Sequence, residues 1–167
     1  MRSMKCETLL GAADPFLSRL FAALEQDGLE VAGYELDHLC YRVSSRERYE
    51  ALKTGMADYG RVLSEKEIGG RPIATFELTS PIVFADRQIP CLEIPAPKAG
   101  SSYPEGFEHA EFVIDRPFAE FMAAYPHLDF DTKGMHKEVN PEIRLAYEGF
   151  SVKFHHHPLA YVIRHLD

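Results

Sequence analysis

The chain is poor in cysteine, in basic charge and in long apolar runs, and each shortage excludes something. Cys6, Cys40 and Cys91 are an odd number with no CxxC spacing, which argues against a disulfide framework and against a zinc ribbon. Lysine and arginine number 18 against 26 aspartates and glutamates, for a formal net charge of −8. Non-specific nucleic-acid binding needs a basic footprint, and this balance does not supply one. No apolar run approaches the roughly 20 residues that cross a bilayer as a helix. The opening MRSMKCETLLGAADP lacks the apolar core and cleavage site of a secretory signal. The expectation is a reduced, cytoplasmic protein whose partners are neither nucleic acid nor membrane.

What is present suits a folded core. The 167 residues are 46% hydrophobic and 26% charged, enough for one large domain or two small halves packed together. Asp14 as N-cap and Pro15 at the first helical position predict a helix with Leu17, Leu20, Phe21 and Leu24 on one face, ended by Gly28. This makes residues 1–33 an N-terminal helical segment. Residues 34–98 then read as strand, helix and three strands. ELDHLCYRV is the first strand, with Leu36, His38, Cys40 and Arg42 on one face and Asp37, Leu39, Tyr41 and Val43 on the other. The following helix is capped by Ser44 or Ser45, carries Tyr49, Leu52 and Met56 on its apolar stripe, and closes at Gly60. Strands at 61–68, 71–84 and 89–95 are punctuated by a Gly69-Gly70 turn.

A loop rich in Pro and Gly (95–106) leads into the same order again. Residues 107–114 read as a strand, 116–128 as a helix with Phe118, Phe121 and Met122 inward, and 130–139, 142–149 and 150–157 as three more strands. The second module thus runs over about 106–167. His38 and His109 are 71 residues apart and open the two halves; Glu93 and His155 are 62 apart and close them, to within a residue or two. The fold class that follows is α+β: two βαβββ modules forming one curved mixed sheet over 34–167, with the helices outside. On its concave side His38, Glu93, His109 and a residue near His155 would meet.

Two imidazoles and a carboxylate suit Zn, Ni, Mn, Co or Fe(II). The bland alternatives are half-buried, hydrogen-bonded histidines and a solvated carboxylate. Glu111, on the face of His109, is a candidate proton acceptor, as is Glu77; each is also an ordinary charged strand residue. Arg42 and Arg71 could clamp a substrate carboxylate, or Arg42 could pair with Glu77, Glu93 or Glu111 and only orient the site. Cys40 and Cys91 read as small core residues, with a thiolate ligand, favouring zinc, as the minority option. His156 and His157 read as surface residues.

The chain resembles the YecM family, small bacterial proteins built like the glyoxalase, bleomycin-resistance and extradiol-dioxygenase group, whose fold is the vicinal-oxygen-chelate fold. DHLCYR (37–42), GGRPI (69–73), LEIPAP (92–97), YPEGFEHAEFVI (103–114), NPEIRLAYEG (140–149) and VKFHHHP (152–158) carry that resemblance. It implies metal ligands on the first and last strand of each half, here His38, Glu93, His109 and His155. Glutamate usually holds the last position in glyoxalase-like relatives, so His155 departs from the pattern. The family is similar to enzymes of this fold, of which a metal-dependent lyase or isomerase is the expectation, and Arg42 and Arg71 point to a small oxygen-chelating anion as its substrate. The alternatives are a non-haem Fe(II) dioxygenase-like enzyme and a non-catalytic binder of a small ligand. A monomer or weak homodimer is expected, since one chain completes the cleft.

Overall fold

Alternating polar and apolar residues in two segments build the centre of the sheet. A computed structural model describes residues 5–101 and 103–166; the first four residues of the N-terminal segment and the last of the second module lie outside it. Strand β1 (Glu35–Arg42) lies antiparallel to β5 (Gly106–Val113). Around them stand β2 (Gly60–Ile68), β3 (Arg71–Phe84), β4 (Arg87–Pro95), β6 (Glu142–Ala146) and β7 (Ser151–His155). The seven strands run in the order β2-β3-β4-β1-β5-β7-β6. β4 is parallel to β1 and β7 is parallel to β5, while the outer pairings are antiparallel. The result is one curved, mixed sheet.

The central register carries an internal two-fold. Leu39 faces Ala110, while His38↔Glu111 and Cys40↔His109 exchange places under a shift of 71 residues. The irregularities obey the same shift. Asp37 is an extra residue in β1 between Leu36 and His38, and Glu108 is an extra residue in β5 between Phe107 and His109. The first of these bulges overturns the simple alternation expected for β1. Leu36 joins Leu39 and Tyr41 in the apolar core, and Asp37 turns onto the side of His38.

Helix α1 (Glu7–Leu10) precedes α2 (Asp14–Gln26), whose Leu17, Leu20 and Leu24 are buried. Asp14 is the first helical residue and Ala13 holds the cap position; the Ala13 N–H is taken by the Glu7 carboxylate at 2.8 Å. Gly28, at φ +71°, follows the helix end. Ser45 caps α3 (Arg46–Gly55) by accepting the Arg48 N–H at 3.1 Å, and Tyr49, Leu52 and Met56 are buried. In the second half α4 is short (Phe118–Ala123), with Phe118 and Phe121 buried.

The strand expected at 130–139 is not formed. The Asp131 carboxylate accepts the Lys133 N–H at 3.0 Å, and Lys133–His136 is a 3-10 turn. A single bridge, Asp131 to Arg144, remains of the ladder. The second module therefore supplies three strands to the first module's four.

Candidate metal centre

The bulges at Asp37 and Glu108 decide the geometry of the site. In a regular strand the residue before a histidine points to the opposite face. Here each preceding acid is rotated onto its histidine. Asp37 Oδ2 lies 2.8 Å from His38 Nδ1, and Glu108 Oε2 lies 2.7 Å from His109 Nδ1. Both rings are fixed with Nε2 pointing inward, the arrangement in which a carboxylate orients a metal-binding imidazole.

Between the two Nε2 atoms stands Glu111. Its Oε2 is 2.8 Å from His38 Nε2 and 3.2 Å from His109 Nε2. Glu93 Oε1 is 4.0 Å from His109 Nε2. Donor atoms of His38, Glu93, His109 and Glu111 all lie within 4.8 Å of one another. His155 belongs to a second group, with Asp37 and His38: its Nε2 is 2.8 Å from Asp37 Oδ1 and its Nδ1 is 3.3 Å from Glu111 Oε1.

Electrostatics mark the cluster as a trap for positive charge. Burial works against a charged His38, but the Glu111 and Asp37 carboxylates outweigh it and hold its pKa well above the ordinary value. Burial likewise opposes charge on His109, while Cys40, Glu108 and Glu111 raise it well above that value. His155 is pushed up to about 9: burial is outweighed by Asp37 and Glu111. Glu108 is drawn down to about 2 by His109 and Arg42 in spite of burial. That donor chemistry fits a divalent cation.

The cluster opens into a cavity of about 480 Å³. Arg42 and Arg71 both line it. Arg42 donates from Nε to Glu108 at 3.3 Å and lies over the Tyr103 ring at 4.5 Å, so its partner is none of the three carboxylates considered from the sequence. Arg71 donates to the Ala96 carbonyl at 3.4 Å. Glu77 is held outside the cavity lining by Arg61 and Arg164, each at 2.7 Å. Cys40 is buried at the wall; burial drives the buried Cys91 thiol to about 11. His157 is exposed, but His156 is half-buried, stacked on Phe118 with ring centres 4.2 Å apart and donating to the Arg116 carbonyl.

A family model described as YecM protein matches residues 5–165. The chain belongs to the YecM family. It is 37% identical over 87 residues to an uncharacterized protein of Haemophilus influenzae, covering 52% of this chain and 45% of that one. It is 36% identical over 88 residues to Protein YecM of Escherichia coli K12, covering 52% and 46%. The match thus spans about half the length of these curated relatives. Among solved structures, a structural-genomics protein designated EC4020 superposes at TM-score 0.81 and 23% identity, covering 98% of this chain and 97% of that one. A Streptomyces coelicolor methylmalonyl-CoA epimerase, solved with 2-nitronate-propionyl-CoA, superposes at TM-score 0.54 and 11% identity, covering 75% and 96%. These likenesses establish a glyoxalase-like fold for this YecM-family chain.

Three roles escaped the sequence reading: Asp37 and Glu108 as partners of the histidine Nδ1 atoms, and Glu111 as a donor between the rings. An audible signal did exist. An acid stands immediately before each histidine, in equivalent places of the two halves.

Proposed function

We propose that this YecM-family chain binds a divalent metal ion and acts on a small oxygen-chelating anion as an isomerase or lyase, moving a proton on the carbon beside a carbonyl. The carrying observation is the convergence of two imidazoles and two carboxylates, of which His109, Glu93 and Glu111 line the cavity. His38, His109 and Glu111 are the close donors, and Glu93 stands at the edge of the group. When bound, the ion would act as a Lewis acid that favours negative charge on a carbonyl oxygen.

The rest falls to the side chains. Asp37 and Glu108 hold the rings in the tautomer that leaves Nε2 free to bind, and the buried Glu111 is fixed by both imidazoles. Glu93, with its side chain 19% exposed, has the freedom that a proton carrier needs. This gives Glu111 the ligand's role and Glu93 the proton carrier's. Ile73, Leu159 and Val162 line the same cavity and would shed water around the reacting carbon, while Arg42 and Arg71 favour an anionic substrate. A second carboxylate, Glu93, standing beside the ligand set as proton carrier favours this reading over the Fe(II) oxygenase, whose two histidines and one carboxylate need none.

The test is hydrogen–deuterium exchange at the carbon next to the carbonyl, followed by proton NMR over a panel of 2-oxo acids in D2O with Zn2+-loaded protein. Exchange catalysed by the parent should fall by about 100-fold or more in Glu93→Gln, which keeps its metal, and Glu111→Gln should lose metal. A metal-loaded parent that exchanges no acid of the panel would leave a binding protein, and the enzymatic reading would be dropped.

A further inference from the structure

The internal two-fold identifies the mate of Glu93, and it is a lysine. In the first half β4 runs parallel to β1 with Glu93 opposite Cys40; in the second β7 runs parallel to β5 with Lys153 opposite Glu111. Cys40 and Glu111 are equivalent under the 71-residue shift of the central strands, and Cys91↔His38 matches Ser151↔His109. The closing strands are therefore related by 60 residues, which places Lys153 where the other half has Glu93. His155 falls two residues later, opposite Val113.

Lys153 reaches the cavity with its side chain 22% exposed, and Nζ lies 3.3 Å from Glu142 Oε2. Glu142 also pairs through its other oxygen with Lys137, so two ammonium groups share one carboxylate. The donor-group carboxylates around it are Glu111, its neighbour across the strand pair, and Glu93, which lines the same cavity. Once those two carboxylates neutralise a metal ion, the ammonium is left in a partly dry cavity beside a second cation, and repulsion at this range is substantial. An anionic oxygen placed between them removes the conflict. Arg42 is less suited to that task, being held by Glu108 and Tyr103.

We infer that Lys153 is the specificity-determining anion anchor of the cavity: its ammonium takes the carboxylate of a short 2-oxo or 2-hydroxy acid whose vicinal oxygen faces the metal centre. This rests on the metal-binding reading above. The apolar wall formed by Ile68, Ile73, Val139, Leu159, Val162 and Ile163 adds that the acid carries an aliphatic body.

The experiment pairs Zn2+ uptake with calorimetric binding of 4-methyl-2-oxopentanoate to the Zn2+-loaded protein. Lys153→Met should retain Zn2+ and bind the oxo acid at least about tenfold more weakly, since a charged hydrogen bond is lost. Lys153→Arg should keep most of the affinity. Lys153→Glu should hold Zn2+ at least as tightly as the parent, by restoring a carboxylate at the mate of Glu93, and should no longer bind the acid. If Lys153→Met, or Lys153→Gln should the methionine variant fail to fold, binds the acid as tightly as the parent, the anchor role is overturned while the metal centre stands. No binding of the acid by the Zn2+-loaded parent also overturns it. No Zn2+ uptake by the parent removes the metal centre, and this inference with it.

Discussion

Asp37 and Glu108 each stand one residue before a histidine, and strict strand alternation would send both away from the site. The bulges bring them back. That the histidines and Glu93 come together is legible in the sequence, because they recur at matched places of the two halves. Their orienting acids are legible only as an acid before each histidine, because the bulge that turns them inward is a backbone event that no single residue type signals. Asp37→Asn and Glu108→Gln keep the shape and remove the charge. Each is expected to weaken metal binding by about 10- to 100-fold in chelator competition; unchanged affinity would show that the acids only fill space. Thiol chemistry gives a second expectation. Burial lifts Cys6 to about 12 and Cys91 to about 11, so both should react with a thiol reagent at neutral pH only after unfolding. Burial of the neutral thiols stabilises the fold fully below the ordinary value of 9.0 and that contribution is lost as pH rises through about 11 and 12.

At the scale of elements, the first module follows its sequence closely. The Gly69-Gly70 turn has φ of +63° and +83°, as a two-residue hairpin with the native twist requires, and β2 and β3 pair on either side. Gly60 opens β2 where a Cβ would sit 2.5 Å from the Glu77 carbonyl oxygen. Gly60→Ala is expected to destabilise by about 1–3 kcal/mol in urea unfolding, as overpacking against backbone usually does. Leu20 on α2 is fully buried, and Leu20→Ala should cost about 2–5 kcal/mol by the same measurement. A loss below that range would mean that α2 packs more loosely on the sheet than its burial implies. The second module was harder to read at 130–139, where the Asp131 side chain captures its own backbone and turns the chain out of the extended state. The closing strand was legible in face but not in register. A slip of two residues leaves every side chain on the same face, so periodicity cannot separate Lys153 from His155.

At the scale of the molecule, both halves contribute to one site: β1 and β4 bring His38 and Glu93, β5 brings His109 and Glu111, and β7 brings Lys153. A centre built within one chain should bind metal in proportion to chain concentration and independently of dilution. Zinc titrations over a wide protein range, with sedimentation run in parallel, check this; a stoichiometry that falls as any dimer dissociates would place part of the site on a second copy. The most direct measurement of the central claim is the metal content of tag-free protein, expressed natively and desalted at neutral pH, beside a folded His38→Ala plus His109→Ala variant. The account predicts close to one equivalent of a divalent transition metal in the parent and none in the variant. Equal metal content in the two, with circular dichroism showing both folded, would contradict it.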